Sequence, residues 1–335
     1  MPTIKDLFSI IENEKSYRKN QIIHAIFEGL IENFDEAQNL PKELREKLNT
    51  EFPLNVEAKL FISDNLDTEK ALITLEDGKQ IETVLMRHKD RNSICVSSQI
   101  GCSLGCEFCA TGKMGFIRQL TDWEILLQVL FFARRLKKEN QKINSIVFMG
   151  MGEPMFNYEN VIAAIRILND KDGFNLGARH ISISTSGIIE GIRKLADENL
   201  QINLAVSLHS SSNEIRSKIM PINNKVPIQT LMQELKDYIE KTGRKVMIEY
   251  LMLKGINDSE YDAKKLAELL KKYSYLFVVN LIKYNPTGDF TASENETIQK
   301  FKETLKSNRI DVTERRRFGK AINAACGQLA TNCDL

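Results

Sequence analysis

The chain has 335 residues, enough for one large core plus a small accessory module, and its 42% hydrophobic and 27% charged residues are ordinary for a globular protein. Forty-six basic residues against forty-five acidic ones leave a formal charge of +1, so charge alone announces no nucleic-acid partner. The longest apolar stretch, Ile125 to Ala133, is broken by Gln128 and is too short to span a bilayer. The opening Met-Pro-Thr-Ile-Lys-Asp lacks the basic region and apolar run of a secretion signal. A cytoplasmic protein with no membrane partner is the expectation.

In chain order, residues 1–60 read as a small helical accessory module. Ile22, Ile23, Ile26, Phe27 and Leu30 recur at helical spacing, and Pro41 opens a second helix, where its missing donor costs nothing. Residues 61–87 carry a β-hairpin: Ala71–Leu75 and Ile81–Leu85 flank a turn containing Asp77-Gly78.

From 88 to 319 short apolar strands alternate with helices. Strands are expected at Ile94–Val96, Ser145–Phe148, His180–Ser184, Asn203–Leu208, Val246–Leu251 and Phe277–Ile282. Helical periodicity fills Asp122–Lys138, Tyr158–Leu168, Ile188–Ala196, Ile228–Glu240 and Glu260–Lys272, with Thr121 and Glu124 as a capping box at the first. A last helix, Glu294–Lys306, and strand, Ile310–Glu314, lead to a tail at 320–335. Such alternation specifies a parallel α/β architecture. Six units fit a partial (β/α)6 barrel, although periodicity alone does not separate that from an open doubly wound sheet.

Cysteines stand at 95, 102, 106, 109, 326 and 333, and in a reducing compartment such clustering reads as metal binding or catalysis rather than a disulfide framework. Cys102-Ser-Leu-Gly-Cys106-Glu-Phe-Cys109 falls just after the first barrel strand, where β/α enzymes carry their active sites. Three thiolates from one compact loop hold three irons of a [4Fe–4S] cluster and leave the fourth open to a small ligand. The alternative is a structural zinc site, with Cys95 or Cys326 as fourth ligand, in a non-catalytic RNA-binding protein.

Polar and glycine-rich residues gather at the ends of successive strands on the same rim: Gly150-Met151-Gly152-Glu153-Pro154, Ser184-Thr185-Ser186-Gly187, Ser207-Leu208-His209 and Asn285-Pro286. Any one of them is ordinary turn chemistry. Four beside a cluster loop form a cofactor cradle, in which glycines admit a close backbone approach and Glu153 accepts from an ammonium.

The cysteine run, Gly150–Pro154 and Ser184–Gly187 resemble the radical S-adenosylmethionine superfamily. Cys95–Cys102, Ala110–Phe116 and Ala324-Ala-Cys326-Gly-Gln-Leu329 narrow the resemblance to the RlmN/Cfr family of RNA adenine methyltransferases, over about residues 17 to 330. The resemblance implies a [4Fe–4S] cluster on Cys102, Cys106 and Cys109, and two S-adenosylmethionine molecules per turnover. It implies that Cys326 accepts a methyl group from the first. A deoxyadenosyl radical from the second then activates that methyl group, which adds to an adenine to give a covalent protein–RNA adduct. Glu82 corresponds to the proton acceptor, and Cys95 to the thiol that releases Cys326 by forming a disulfide with it. Gly152, Glu153, Ser184, Ser207, Leu208, His209 and Asn285 correspond to the cofactor-binding positions. Taken alone, Glu82 would be a surface strand residue, Cys95 a buried small hydrophobe and His209 a satisfied strand-end histidine.

The implied substrates are 23S ribosomal RNA and transfer RNA adenosine 37, with an electron donor such as a flavodoxin-type protein. Pro154 and Ser186 place the chain on the carbon-2 side of the family, since the carbon-8, antibiotic-resistance branch tends to carry alanine and isoleucine there. The helical N-terminal module, with Lys15, Arg18 and Lys19, is the expected RNA grip. The runs Arg134–Lys138 and Arg315–Arg317 read individually as solvated faces. Trp123 reads as helix packing, while His24, His88 and His180 show no ligand spacing. No role attaches to Cys333.

Overall fold

The computed structural model describes residues 2–330. Three helices come first: α1 (Ile4–Ile10), α2 (Ser16–Phe27) and α3 (Lys42–Glu51). Pro41 is the residue that caps α3. A three-stranded antiparallel meander follows: β1 (Glu57–Ile62), β2 (Thr68–Thr74) and β3 (Gln80–Arg87). The expected hairpin is β2 and β3. β1 begins inside the segment read as helical, because its burial alternates along the strand and offers no helical stripe for the sequence to display.

The hairpin is continuous with the main sheet. β3 pairs antiparallel with β4 (Asn92–Cys95), which then opens the parallel region. Next come the short pair β5 (Gln99–Gly101) and β6 (Phe116–Gln119), with the one-turn α4 (Ala110–Lys113) between them. The alternation then runs α5 (Asp122–Lys138), β7 (Ser145–Phe148), α6 (Tyr158–Asn169), β8 (Ile181–Thr185), α7 (Ile189–Asp197), β9 (Asn203–Ser207), α8 (Asn213–Ile219) and α9 (Ile228–Thr242). It ends with β10 (Val246–Met252), α10 (Glu260–Leu270), β11 (Phe277–Lys283), α11 (Asn295–Ser307) and β12 (Asp311–Glu314).

The large sheet has ten strands in the order β1-β2-β3-β4-β7-β8-β9-β10-β11-β12, and every pairing from β4 onward is parallel. Its ends, β1 and β12, do not pair with each other, so the architecture is an incomplete barrel extended by an antiparallel meander. No helix of the described residues is long and apolar enough to cross a membrane.

The N-terminal helices share the main hydrophobic core. Trp123, at the start of α5, is 1% exposed and meets Phe52 at 4.6 Å and Phe27 edge-on at 6.5 Å. One turn from the end of α5, the buried Arg134 donates to the carbonyls of Leu54 and Ile31, and Lys137 donates to that of Gly29. These bonds satisfy loop carbonyls that packing would otherwise strand, each at a cost of about 1–3 kcal/mol. Trp123→Ala is expected to destabilise the protein by about 3–5 kcal/mol through the cavity it leaves. Urea unfolding should read that loss, and limited proteolysis should cut first within residues 1–56.

Candidate active site

The cysteine loop leaves β5 through a turn that only glycine tolerates. Gly101 has φ +72°, and a Cβ there would lie 1.8 Å from the carbonyl oxygen of Gly115. The Cys102 amide donates to that same carbonyl at 2.9 Å, which closes the loop at its base. Cys102, Cys106 and Cys109 then all line one open-mouthed cavity of about 990 Å³. Burial pushes the Cys102 thiol up to about 12 and that of Cys106 well above its ordinary value, with neighbouring cysteines adding to the effect. Such thiols stay protonated unless a cation compensates them, which is what iron supplies. Among the described residues no three or more His, Cys, Asp or Glu side chains are grouped as ligands of one ion. All three thiols come from one loop and open onto one cavity, so this donor set fits a [4Fe–4S] group.

Opposite the loop, Glu153 follows β7. It is 3% exposed, and its two carboxylate oxygens accept from the amides of Met155 at 3.1 Å and Ser186 at 2.7 Å. Burial raises its pKa, and those amides oppose the rise. Gly152 before it has φ +97°, and a Cβ would stand 2.4 Å from Cβ of Gln99, whose side chain accepts from the Glu153 amide.

Strand register lines up a polar row across one face of the sheet. Ser207 of β9, Glu249 of β10, Asn280 of β11 and Thr313 of β12 are successive partners across the parallel strands, so their side chains share one face. Asn280 donates to Glu249 at 2.9 Å and accepts from Thr313 at 3.1 Å. The other oxygen of Glu249 is buried without a partner, and the residue lines the cavity.

His209 has φ +57° and is 4% exposed. Its Nδ1 accepts from the Leu251 amide at 3.1 Å, which leaves the proton on Nε2, and its ring meets the edge of Phe108 at 4.9 Å. Burial first, and the Arg216 charge second, push its pKa down to about 3. Arg216 is fully buried and binds the ends of β8 and β9 together, donating to the carbonyls of Ser186, Ser207 and Leu208.

The segment from 319 to 330 folds back over the rim. Gly327 accepts from the Ala110 amide at 2.8 Å, Leu329 from the Thr111 hydroxyl at 2.6 Å, and Cys326 from the Asn285 amide group at 3.2 Å. Cys326 thereby joins the wall of the cysteine cavity. Its side chain is accessible from that cavity while the protein surrounds it at depth, so desolvation still raises its pKa and Arg315 opposes the rise. Cys95, at the end of β4, is buried with its thiol pushed up to about 12. It shares a second cavity with Cys326 and Arg315.

The structure thus gathers Cys102, Cys106, Cys109, Gly152, Glu153, Ser184, Ser207, His209 and Cys326 on one cavity. Four expected site residues, Cys95 among them, lie outside its wall. The Leu208 side chain is fully buried in the core, and only its backbone reaches the rim. Asn285 holds the Cys326 carbonyl from the second cavity. Glu82 is wholly buried, 2.6 Å from the Lys70 ammonium, and its other oxygen accepts from the Ala330 amide at 2.7 Å. Burial raises its pKa against those partners. Cys333 lies outside the described residues.

The sequence reading missed Glu249, Arg315 and Arg216. The available signal was a carboxylate inside the apolar run Val246–Leu251, which a purely structural strand has no use for.

Residues 96–267 match the model of the radical SAM superfamily, and residues 2–53 match that of the ribosomal RNA large subunit methyltransferase N-terminal domain. A probable dual-specificity RNA methyltransferase RlmN of Dictyoglomus turgidum is 46% identical over 97% of this chain and 94% of its own length. Its counterpart in Bacillus pumilus is 44% identical over 95% and 89%. The chain belongs to the RlmN family of radical SAM RNA methyltransferases. The crystal structure of a radical SAM methyltransferase from Sphaerobacter thermophilus superposes with a TM-score of 0.93 at 41% identity, covering 98% of this chain and 97% of that one. Membership establishes an RNA methyltransferase that uses a [4Fe–4S] cluster and S-adenosylmethionine, and it confirms the incomplete-barrel fold class expected from the strand–helix alternation.

Two measurements test the site. Anaerobic reconstitution should load about four irons per chain; Cys109→Ala should lose most of that iron, measured by colorimetric iron and sulfide assay. The His209 shift predicts a stability term that is fully present above pH 6.5. It falls away as the pH drops toward 3, because the unfolded chain takes up a proton there that the folded one refuses. His209→Asn, which suits the left-handed backbone, should flatten the pH dependence of the urea midpoint across that window.

Proposed function

We propose that this RlmN-family enzyme methylates carbon 2 of an adenosine in the peptidyl-transferase region of 23S ribosomal RNA, and adenosine 37 of some transfer RNAs. The observation that carries the reading is Cys326, a solvent-accessible thiol held by Asn285 on the wall of the cavity that bears the cluster cysteines. Pro154 and Ser186, both on that wall, are the residues that favour carbon 2 over carbon 8.

Each residue has a task in this reading. Cys102, Cys106 and Cys109 hold the cluster. Glu153, the Gly152 backbone, Ser184, Ser207, His209 and the Leu208 backbone bind S-adenosylmethionine, while Asn285 positions the segment that carries Cys326. When bound, cluster and cofactor supply the one-electron chemistry that an electron-poor ring carbon requires. Cys326 would accept the methyl group of one cofactor molecule on its sulfur, and the radical chemistry of a second would let that carbon, still on the Cys326 sulfur, bond to the adenine as a covalent adduct. Glu82 accepts the ring proton, and Cys95 frees Cys326 by forming a disulfide with it. Since Glu82 stands behind residues 326–330, its task requires that segment to swing outward. A flavodoxin-type protein donates the electrons, and the cytoplasm is where ribosomal and transfer RNA are met.

The deciding experiment is mass spectrometry of nucleosides from unmodified 23S ribosomal RNA after reaction with reconstituted enzyme, S-adenosylmethionine and a reductant. A 2-methyladenosine peak is expected, whereas 8-methyladenosine would overturn the carbon assignment. Cys326→Ala should abolish the product, and Cys95→Ala should trap an adduct that migrates with RNA in a denaturing gel. Glu82→Gln should lower the turnover rate while leaving methyl loading of Cys326 intact.

A further inference from the structure

The second cavity, about 540 Å³ including its mouth, adjoins the first and shares Arg315 and Cys326 with it. Its wall is electrostatically lopsided. Lys283, Arg315, Arg316 and Arg317 all line it, and none of its lining residues is Asp or Glu, in a chain with 46 basic and 45 acidic residues. The uncharged part of the lining includes Val84, Met86 and the two thiols of Cys95 and Cys326. Phe318 is also part of this cavity, with the Arg316 guanidinium 4.9 Å above its ring and His88 edge-on at 4.7 Å.

These four cations are incompletely neutralised. Arg315 stands 4.0 Å from Glu249, and Arg316 stands 3.6 Å from Asp67 with its side chain 61% exposed. Arg317 donates to the neutral Asn285 and Lys283 to the neutral Asn295, and neither has a carboxylate within 4.0 Å among the described residues. Most of the other basic groups flagged in the sequence are engaged elsewhere. Arg134 and Lys137 hold loop carbonyls, Arg135 pairs with Glu69, and Lys138 pairs with Glu32 at 2.9 Å. Arg18 pairs with Glu14 at 3.5 Å, and Lys19 donates to the Glu12 carbonyl.

A wall of arginine and lysine without carboxylates suits a polyanion. We propose that this second cavity is the nucleotide subsite for the RNA strand. The target base enters toward Cys326 and Cys95. Phosphates on either side of it rest on Lys283, Arg316 and Arg317. The inference rests on the RNA-methylating reading above and adds where the strand lies. It also moves the electrostatic grip from the N-terminal helices to the rim beyond β11 and β12. An enzyme acting on a ring carbon must meet an extruded base, and this geometry lets flanking phosphates anchor the strand while the base goes in.

The test is equilibrium binding of the anaerobically reconstituted enzyme to unmodified 23S ribosomal RNA over a series of potassium chloride concentrations. For Lys283→Ala/Arg316→Ala, Kd should rise about tenfold near physiological salt, and the log–log salt slope should shrink by about 2, one unit per lost phosphate contact. Lys138→Ala should match the wild type. An unchanged slope in the double variant, or a reduced one in Lys138→Ala alone, would overturn this subsite while leaving the methylation reading intact. Failure of the wild-type enzyme to bind RNA at all would overturn both.

Discussion

Few contacts matter more to this molecule than the backbone bonds that tie residues 326–330 to the cysteine loop and its neighbours. Leu329 and Thr111 are 218 residues apart in the chain and bonded at 2.6 Å. Glu82 and Ala330 are 248 apart and bonded at 2.7 Å. Each bond contributes only about 0.5–1.5 kcal/mol. Together they decide whether Cys326 is a surface thiol or a wall residue of the cluster cavity. The ordering entropy of this segment is offset by a handful of polar contacts and by the burial of Ala324, Ala325 and Leu329. It is therefore a tether suited to opening.

The rest of the site depends on charge buried with its partners in place. Glu153 is tolerated because two amides point at it, and Arg216 because strand-end carbonyls surround it. The Ser207–Glu249–Asn280–Thr313 row follows from parallel pairing, which brings equivalent positions of neighbouring strands side by side. Glu249 is the exception, with one buried oxygen left open toward the cofactor cavity. An unsatisfied buried carboxylate oxygen costs stability, so Glu249 is held there at the expense of the fold.

Cys326 and Arg315 stand at the junction of two unlike spaces. One is lined by thiols, glycines and strand-end hydroxyls, and the other by cations and apolar carbon.

Much of this was legible in the sequence. The strand–helix alternation fixed the parallel order, since apolar runs of four to seven residues between amphipathic helices have few other ways to bury both faces. Cys102–Cys109 and Glu153 announced themselves because local spacing carries their chemistry. What the sequence could not show was anything set by distant pairing. β1 lacks a clean alternation, Glu249 and Asn280 become neighbours only through register, and Arg315 looked like one of three interchangeable surface arginines. The two basic runs were indistinguishable as strings, and tertiary contacts committed one to loop carbonyls and left the other facing a cavity. Local chemistry is written in neighbouring residues. The meeting of Cys95, Cys326 and the cluster loop depends on which strands lie side by side, and only the folded chain decides that.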